Sequence, residues 1–328
     1  MKALLIDEDS EQPVMKVGEF PTPDPKPDEL LVKIEATALN RADLLQKAGK
    51  YPVPEGASPI LGLEMAGVVA ETGSEVSGFE TGDRVFGLLS GGGYAEYCTI
   101  HQHMAMKIPE EFSFEEAAAI PEVFLTAYQA IDWIGELQKK ETILIHAGAS
   151  GVGTTAIQLA KHLYNARIVT TAGTDQKNEL CEELGSELSI NYKENNFDEV
   201  IESTIGEKRV DVIIDFVGSP YWDMNIKTLA VDGRLIYLAM LGGAKVNEMN
   251  LVPILRKRLT IQGSTLRNRS DKYKMKLTKE FERKALDRFA NGNIKPIMDS
   301  IYDWNNVEEA HSKMENNLNA GKIILTGM

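Results

Sequence analysis

Along the first third of the chain, short apolar runs alternate with breaks rich in proline and glycine. The runs "KALLI" (2–6), "ELLVKIEATAL" (29–39), "EMAGVVAETG" (64–73), "DRVFGLL" (83–89) and "YAEYCTI" (94–100) predict strands. The breaks "PTPDPKPD" (21–28), "YPVPEGASP" (51–59) and "SGGG" (90–93) predict turns. This spacing predicts a compact, mostly antiparallel β domain. From about residue 121 the rhythm changes. Apolar runs at 142–148, 166–173, 188–193, 210–218, 233–240 and 259–266 alternate with segments of helical period, such as "GTTAIQLAKHLY" and "DQKNELCEELG". Six strands with helical crossovers predict an α/β fold with a doubly wound parallel sheet. Residues 271–292 predict a long helix, and "KIILTG" (322–327) a strand that rejoins the first domain. The predicted division is 1–121 with 267–328, and 122–266.

A chain of 328 residues fits two cores better than one. Its 43% hydrophobic and 26% charged residues are ordinary for a soluble globular protein. A formal net charge of -14 argues against nucleic acid or an anionic membrane as partner. The two cysteines, Cys98 and Cys181, exclude a disulfide framework and a cysteine-rich zinc site. The first apolar run is followed at once by acids, unlike a signal peptide, and no uncharged apolar stretch is long enough to span a bilayer. A cytoplasmic enzyme is the expectation.

"HAGASGVGTTAIQLAK" (146–161) follows an apolar strand and opens a helix. The register G-x-G-x-x-G falls on Gly148, Ser150 and Gly153, so serine replaces the middle glycine. In this context the turn predicts a dinucleotide site, with Gly148 for the tight turn and Gly153 for close helix packing. Ser150 is small and caps a helix whose first amides attract a pyrophosphate. NAD sites place an acid about 20 residues on. Here that position is Gly173 in "TTAGTDQK"; Asp175 comes two residues late and Lys177 follows. An acid-free turn with a nearby lysine suits a 2′-phosphate, hence NADPH, although a lone lysine in a first helical turn is more often simply solvated. Tyr192 in "INYK" adds a hydroxyl.

Three segments, "ATALNRADLLQKAGKYPVPEGASPILGLEMAGVV" (36–69), "HAGASGVGTTAIQLAK" and "TAGTDQK…INYK", resemble the zinc-free quinone oxidoreductases, the zeta-crystallin-like branch of the medium-chain dehydrogenase/reductase superfamily. "NRADLLQ" and "VGSPYWD" resemble most the group within it that is induced by a tumour-suppressor transcription factor. The resemblance covers essentially the whole chain. It implies a GroES-like β-rich domain plus a doubly wound Rossmann domain, with NADPH in the cleft between them. Ser150, Gly151, Val152 and Gly153 would then meet the pyrophosphate, and Gly173, Lys177 and Tyr192 the 2′-phosphate side. Asn40, Tyr51 and Thr126 would lie at the nicotinamide, with Val217 and the turn Met240, Leu241, Gly242, Gly243. Leu266, Arg267 and Lys322 are further cofactor contacts implied in the same way.

The superfamily's zinc enzymes hold their metal by a cysteine, the histidine of a Gly-His-Glu motif, and a later cysteine or aspartate. The aligned positions here carry Asn40, Gly62-Leu63-Glu64, and the neighbourhood of Glu122. Leucine cannot ligate zinc, asparagine ligates it poorly, and the five histidines form no ligand constellation, so no metal is expected. Without a Lewis acid the substrate must delocalise the charge that hydride addition creates, as quinones and activated enones do. Tyr51 is the expected proton donor or orienting hydroxyl, unless it only covers the cleft. Asn40 is a donor to the nicotinamide or substrate, or else a cap at its strand's end. Asp43 and Glu64 are expected to form structural ion pairs. NADPH-dependent quinone reduction is the leading expectation. The alternatives are reduction of α,β-unsaturated carbonyls or enoyl thioesters, and a nucleotide-binding, crystallin-like structural protein. The run 259–266, as last strand of the sheet, is expected to pair across a two-fold axis in a homodimer.

Overall fold

The computed structural model describes residues 1–7, 13–206 and 209–328; the acidic run at 8–11 lies outside them. The chain forms two compact units, Met1–Leu125 with Leu266–Met328, and Thr126–Thr265. The boundary read from the sequence and the observed break both fall in the helix Pro121–Tyr128.

The first unit is built on a seven-stranded sheet. Its order is Met298–Asp303, Lys322–Thr326, Glu29–Ala38, Glu64–Thr72, Arg84–Leu88 and Ala105–Lys107, with Tyr97–His101 also pairing Glu29–Ala38. The predicted return of the last strand is observed: Lys322–Thr326 runs antiparallel to Glu29–Ala38, with Ile324 opposite Ala38. Leu30, Val32, Ile34, Met65, Val69 and Val85 fill one core, each side chain contributing about 1.5–3 kcal/mol by its burial. A separate hairpin joins Lys2–Asp7 to Val14–Glu19. The strand expected from Tyr94 begins only at Tyr97. Tyr94 instead donates its amide to Leu61 and accepts from Leu4, which fixes its ring in the core.

The second unit is a six-stranded, wholly parallel sheet. Its order is Leu188–Asn191, Arg167–Ala172, Thr142–Ile145, Val210–Asp215, Leu229–Tyr237 and Thr260–Gly263. Counted along the chain, the strands stand as 3-2-1-4-5-6, the doubly wound order. Ile143, Leu144 and Ile145 are wholly buried, as a strand covered on both faces requires. The strand expected to run to residue 266 stops at Gly263, which leaves a short, exposed edge. Among the described residues no helix is long and apolar enough to cross a membrane.

Candidate functional site

In the second unit, Ser150 caps the helix Gly151–Tyr164, its Oγ accepting from Gly153 N at 3.0 Å. The first-turn amides of Gly151 and Val152 have no intrahelical acceptor and point out of the helix end, where an anion is favoured. A Cβ at Gly153 would fall 2.3 Å from Ala147 O, so only glycine lets the helix approach this closely. The tight turn itself differs from the sequence reading. Its left-handed residue is Ala147 (φ 50°), whereas Gly148 is required because a Cβ there would meet Thr170 and the Cys181 sulfur at 2.9 Å.

At the end of the next strand, a Cβ on Gly173 would lie 2.8 Å from the Tyr192 hydroxyl oxygen, so glycine keeps this cradle open. The late acid, Asp175, accepts from Asn191 Nδ2 at 3.1 Å. Thr174 caps the following helix by accepting from Lys177 N, which sets Lys177 in its first turn. Thr126 is half-buried on the helix Pro121–Tyr128. The turn Met240–Gly243 is tied to the residues after Val210–Asp215, Gly242 N donating to Val217 O at 2.8 Å. The geometry of the phosphate turn and the open cradle beside Tyr192 fit a nicotinamide dinucleotide.

The first unit holds a buried charged cluster. Lys322, 3% exposed, donates Nζ to Leu39 O (2.6 Å), Asn40 Oδ1 (2.8 Å) and Glu64 Oε1 (2.7 Å). Asn40 donates Nδ2 to the same Glu64 oxygen at 2.8 Å and to Ala38 O at 3.3 Å. The other Glu64 oxygen accepts from Glu122 N at 2.8 Å. Asp43 accepts from the amides of Asn40 and Gly62, at 2.7 and 3.1 Å, and from the Tyr94 hydroxyl at 3.3 Å. Tyr94 in turn meets His311 Nε2 at 3.2 Å.

Burial pushes the Asp43 carboxyl up to about 6 despite those amide donors. Burial and the neighbouring Glu64 charge push Glu122 up to about 8, and its Oε2 has no hydrogen-bond partner among the described residues. Beside them, the Arg267 guanidinium lies 5.4 Å from the Tyr51 ring centre, and its Nε donates to Ser90 O. Burial and then Glu122 raise the Tyr51 hydroxyl, while Arg267 opposes them. Both Nη nitrogens of Arg267 are buried without a hydrogen-bond partner among the described residues. Leu266, before it, is buried.

The sequence expectation of an ion pair at Glu64 is met by Lys322. Asp43 differs, since hydrogen-bond donors rather than a cation surround it. Asn40 and Lys322, both expected at the cofactor, have their polar groups engaged by one another and by Glu64. Asn40 also begins the helix Arg41–Lys47 as its cap residue. Tyr94 and His311 were not singled out in the sequence; only the Asn-x-x-Asp spacing of Asn40 and Asp43 hints at this cluster.

The residues do not fit a catalytic zinc. Leu63 offers no donor atom and is 1% exposed, and the Asn40 amide is fully hydrogen-bonded. Among the described residues no three histidine, cysteine, aspartate or glutamate side chains stand together as a ligand set.

Residues 26–110 match the family described as alcohol dehydrogenase GroES-like domain, and residues 151–283 that described as zinc-binding dehydrogenase. The human quinone oxidoreductase is 30% identical over 335 residues, covering 99% of this chain and 97% of its own. A tomato 2-methylene-furan-3-one reductase is 31% identical over 315 residues, covering 92% of this chain and 73% of its own. The Escherichia coli quinone oxidoreductase solved with NADPH superposes with a TM-score of 0.85 at 30% identity, covering 96% of each chain. With a GroES-like domain, a Rossmann domain and full-length similarity at this level, the chain belongs to the quinone oxidoreductase-like, zeta-crystallin-related family of the medium-chain dehydrogenase/reductase superfamily.

Proposed function

We propose that this oxidoreductase transfers hydride from NADPH to quinones without a metal. The observation that carries this reading is the donor set where zinc enzymes of the superfamily hold their metal: a leucine, a fully engaged asparagine, and a lysine ammonium balancing Glu64. No Lewis acid is available to an alkoxide, so the acceptor must spread the charge itself. A quinone does so as a hydroquinone anion.

NADPH, when bound, supplies the hydride. Ser150, Gly151, Val152 and Gly153 receive its pyrophosphate; Gly173, Lys177 and Tyr192 receive its 2′-phosphate. The absence of an acid at Gly173 and the engagement of Asp175 by Asn191 support this assignment. Thr126, Val217 and the Met240–Gly243 turn serve the nicotinamide from the second unit; for Tyr51 and Arg267 of the first unit, a role at the cofactor rests on the family resemblance. The unpartnered Nη nitrogens of Arg267 support a contact with a polar ligand, because such buried donors are costly to leave unpaired. Tyr51 holds its proton at neutral pH and acts as an orienting hydroxyl. Leu266, buried beside Arg267 in the chain, is a further cofactor contact that the resemblance implies. Asn40 and Lys322 act in the first unit by fixing Glu64. Holding donor and acceptor in one orientation contributes several kcal/mol to lowering the barrier.

A second reading, reduction of α,β-unsaturated carbonyls, is favoured by the tomato relative. Stopped-flow oxidation of NADPH by quinone and by enone separates the two. Faster turnover with quinone supports the proposal, faster turnover with enone the alternative, and oxidation by neither a structural, crystallin-like role. The exposed edge strand Thr260–Gly263, with exposed Leu251, Val252 and Leu255 shortly before it in the chain, supports a homodimer paired along that edge. Light scattering at the monomer mass would contradict it.

A further inference from the structure

The ligand crevice of a doubly wound sheet opens where the strand order reverses, outside the carboxyl ends of two central strands. Here those strands are Thr142–Ile145 and Val210–Asp215. Three wholly buried polar side chains bridge them: His146, Asn225 and Asp215. His146 follows the first strand directly. Its Nδ1 lies 3.0 Å from Thr171 Oγ1 and its Nε2 2.8 Å from Asn225 Oδ1. Asn225 donates Nδ2 to Asp215 Oδ2 at 2.6 Å. The other Asp215 oxygen accepts from Val217 N at 2.5 Å and Gly218 N at 3.1 Å.

Hydrogen-bond directions follow from the chain of partners. Asp215 accepts only, so Asn225 must turn its amide nitrogen toward it and its oxygen toward His146. His146, held neutral by burial, then donates from Nε2 and accepts the Thr171 hydroxyl at Nδ1. The turn beyond Asp215 carries a second one: Leu241 N donates to Phe216 O at 2.9 Å, and Ser219 N to Gly243 O at 2.8 Å. Gly218 (φ 90°) and Gly243 (φ 139°) meet as a bridge that only glycines allow, since a Cβ on Gly218 would fall 2.4 Å from Gly243 O.

We propose that Asn225 is a positioning residue for the cofactor. It ties the Val217–Gly218 turn, and the Met240–Gly243 turn attached to it, to the phosphate turn that begins at His146. The two halves of one dinucleotide are thereby held in register by a side chain that touches neither. This rests on the nucleotide-binding reading above.

The test compares binding of NADPH with binding of adenosine 2′,5′-bisphosphate, which lacks the nicotinamide half, on the full chain by fluorescence titration. Failure of the wild type to bind either ligand would refute the nucleotide reading itself. With wild-type binding present, Asn225→Ala should weaken NADPH tenfold or more and leave the bisphosphate within about twofold, a split of at least about 1 kcal/mol. Unchanged NADPH affinity, or equal weakening of both ligands, would overturn the inference. Should that variant not fold, the exchange Asp215→Asn with Asn225→Asp restores one donor facing one acceptor. It should bind NADPH more tightly than Asn225→Asp alone, where two carboxyl groups face each other. Equal affinities would overturn the inference as well.

Discussion

Replacing Lys322 by methionine keeps its apolar stem and deletes its ammonium. In the folded chain that ammonium satisfies three acceptors within 2.8 Å and balances Glu64, which is wholly buried. Removing one partner of a buried pair leaves an uncompensated charge and costs about 3–5 kcal/mol. At about 2–4 °C per kcal/mol for a unit of this size, the melting temperature should fall by roughly 6–20 °C. The double variant Lys322→Met with Glu64→Gln removes both charges and should recover more than half of that loss. Differential scanning calorimetry at pH 8 reads both effects. A loss under about 1 kcal/mol at pH 8, or a deficit that Glu64→Gln leaves unchanged, would refute the account of this cluster. Weakened NADPH binding at an unchanged melting temperature would instead make Lys322 a direct cofactor contact.

Two further outcomes are expected. Lys177→Ala should weaken NADPH by about tenfold, the size of one charge-assisted hydrogen bond, and leave NADH nearly unchanged; equal effects on both in a binding titration would remove Lys177 from the 2′-phosphate site. Glu122, pushed up to about 8 from 4.5, holds a proton in the folded chain that the unfolded chain has released between those values. Its contribution to stability is thus complete below about pH 4.5 and lost as pH rises toward 8, so Glu122→Gln should flatten the wild-type decline in melting temperature across that window. An unaltered slope would contradict the assignment.

The nucleotide-binding unit was legible because its strands are covered on both faces and read as unbroken apolar runs. The glycine turn was legible because backbone approach there tolerates no side chain. Strands Val14–Glu19 and Met298–Asp303 were not, since each leaves several side chains exposed and lacks an apolar run. The polar clusters were hidden for another reason. Lys322 and Glu64 are 258 residues apart in the chain, and His146 and Asn225 are 79 apart, so only the strand order brings them together. Asn40 shows the consequence. Its residue type excluded a good zinc ligand at once, while its engagement by Glu64 and Lys322 depends on where the final strand returns. The positive φ of Ala147 was hidden too, because glycine stands next to it and is the residue that such a turn ordinarily uses.

The central claim is hydride transfer to a quinone without metal. The most direct measurement is stopped-flow oxidation of NADPH by a simple quinone, using protein dialysed against a strong chelator and checked for zinc by elemental analysis. The account predicts protein-dependent oxidation in zinc-free protein at the rate of the untreated enzyme, unchanged when zinc is added. Activity lost on chelation and restored by zinc would contradict it.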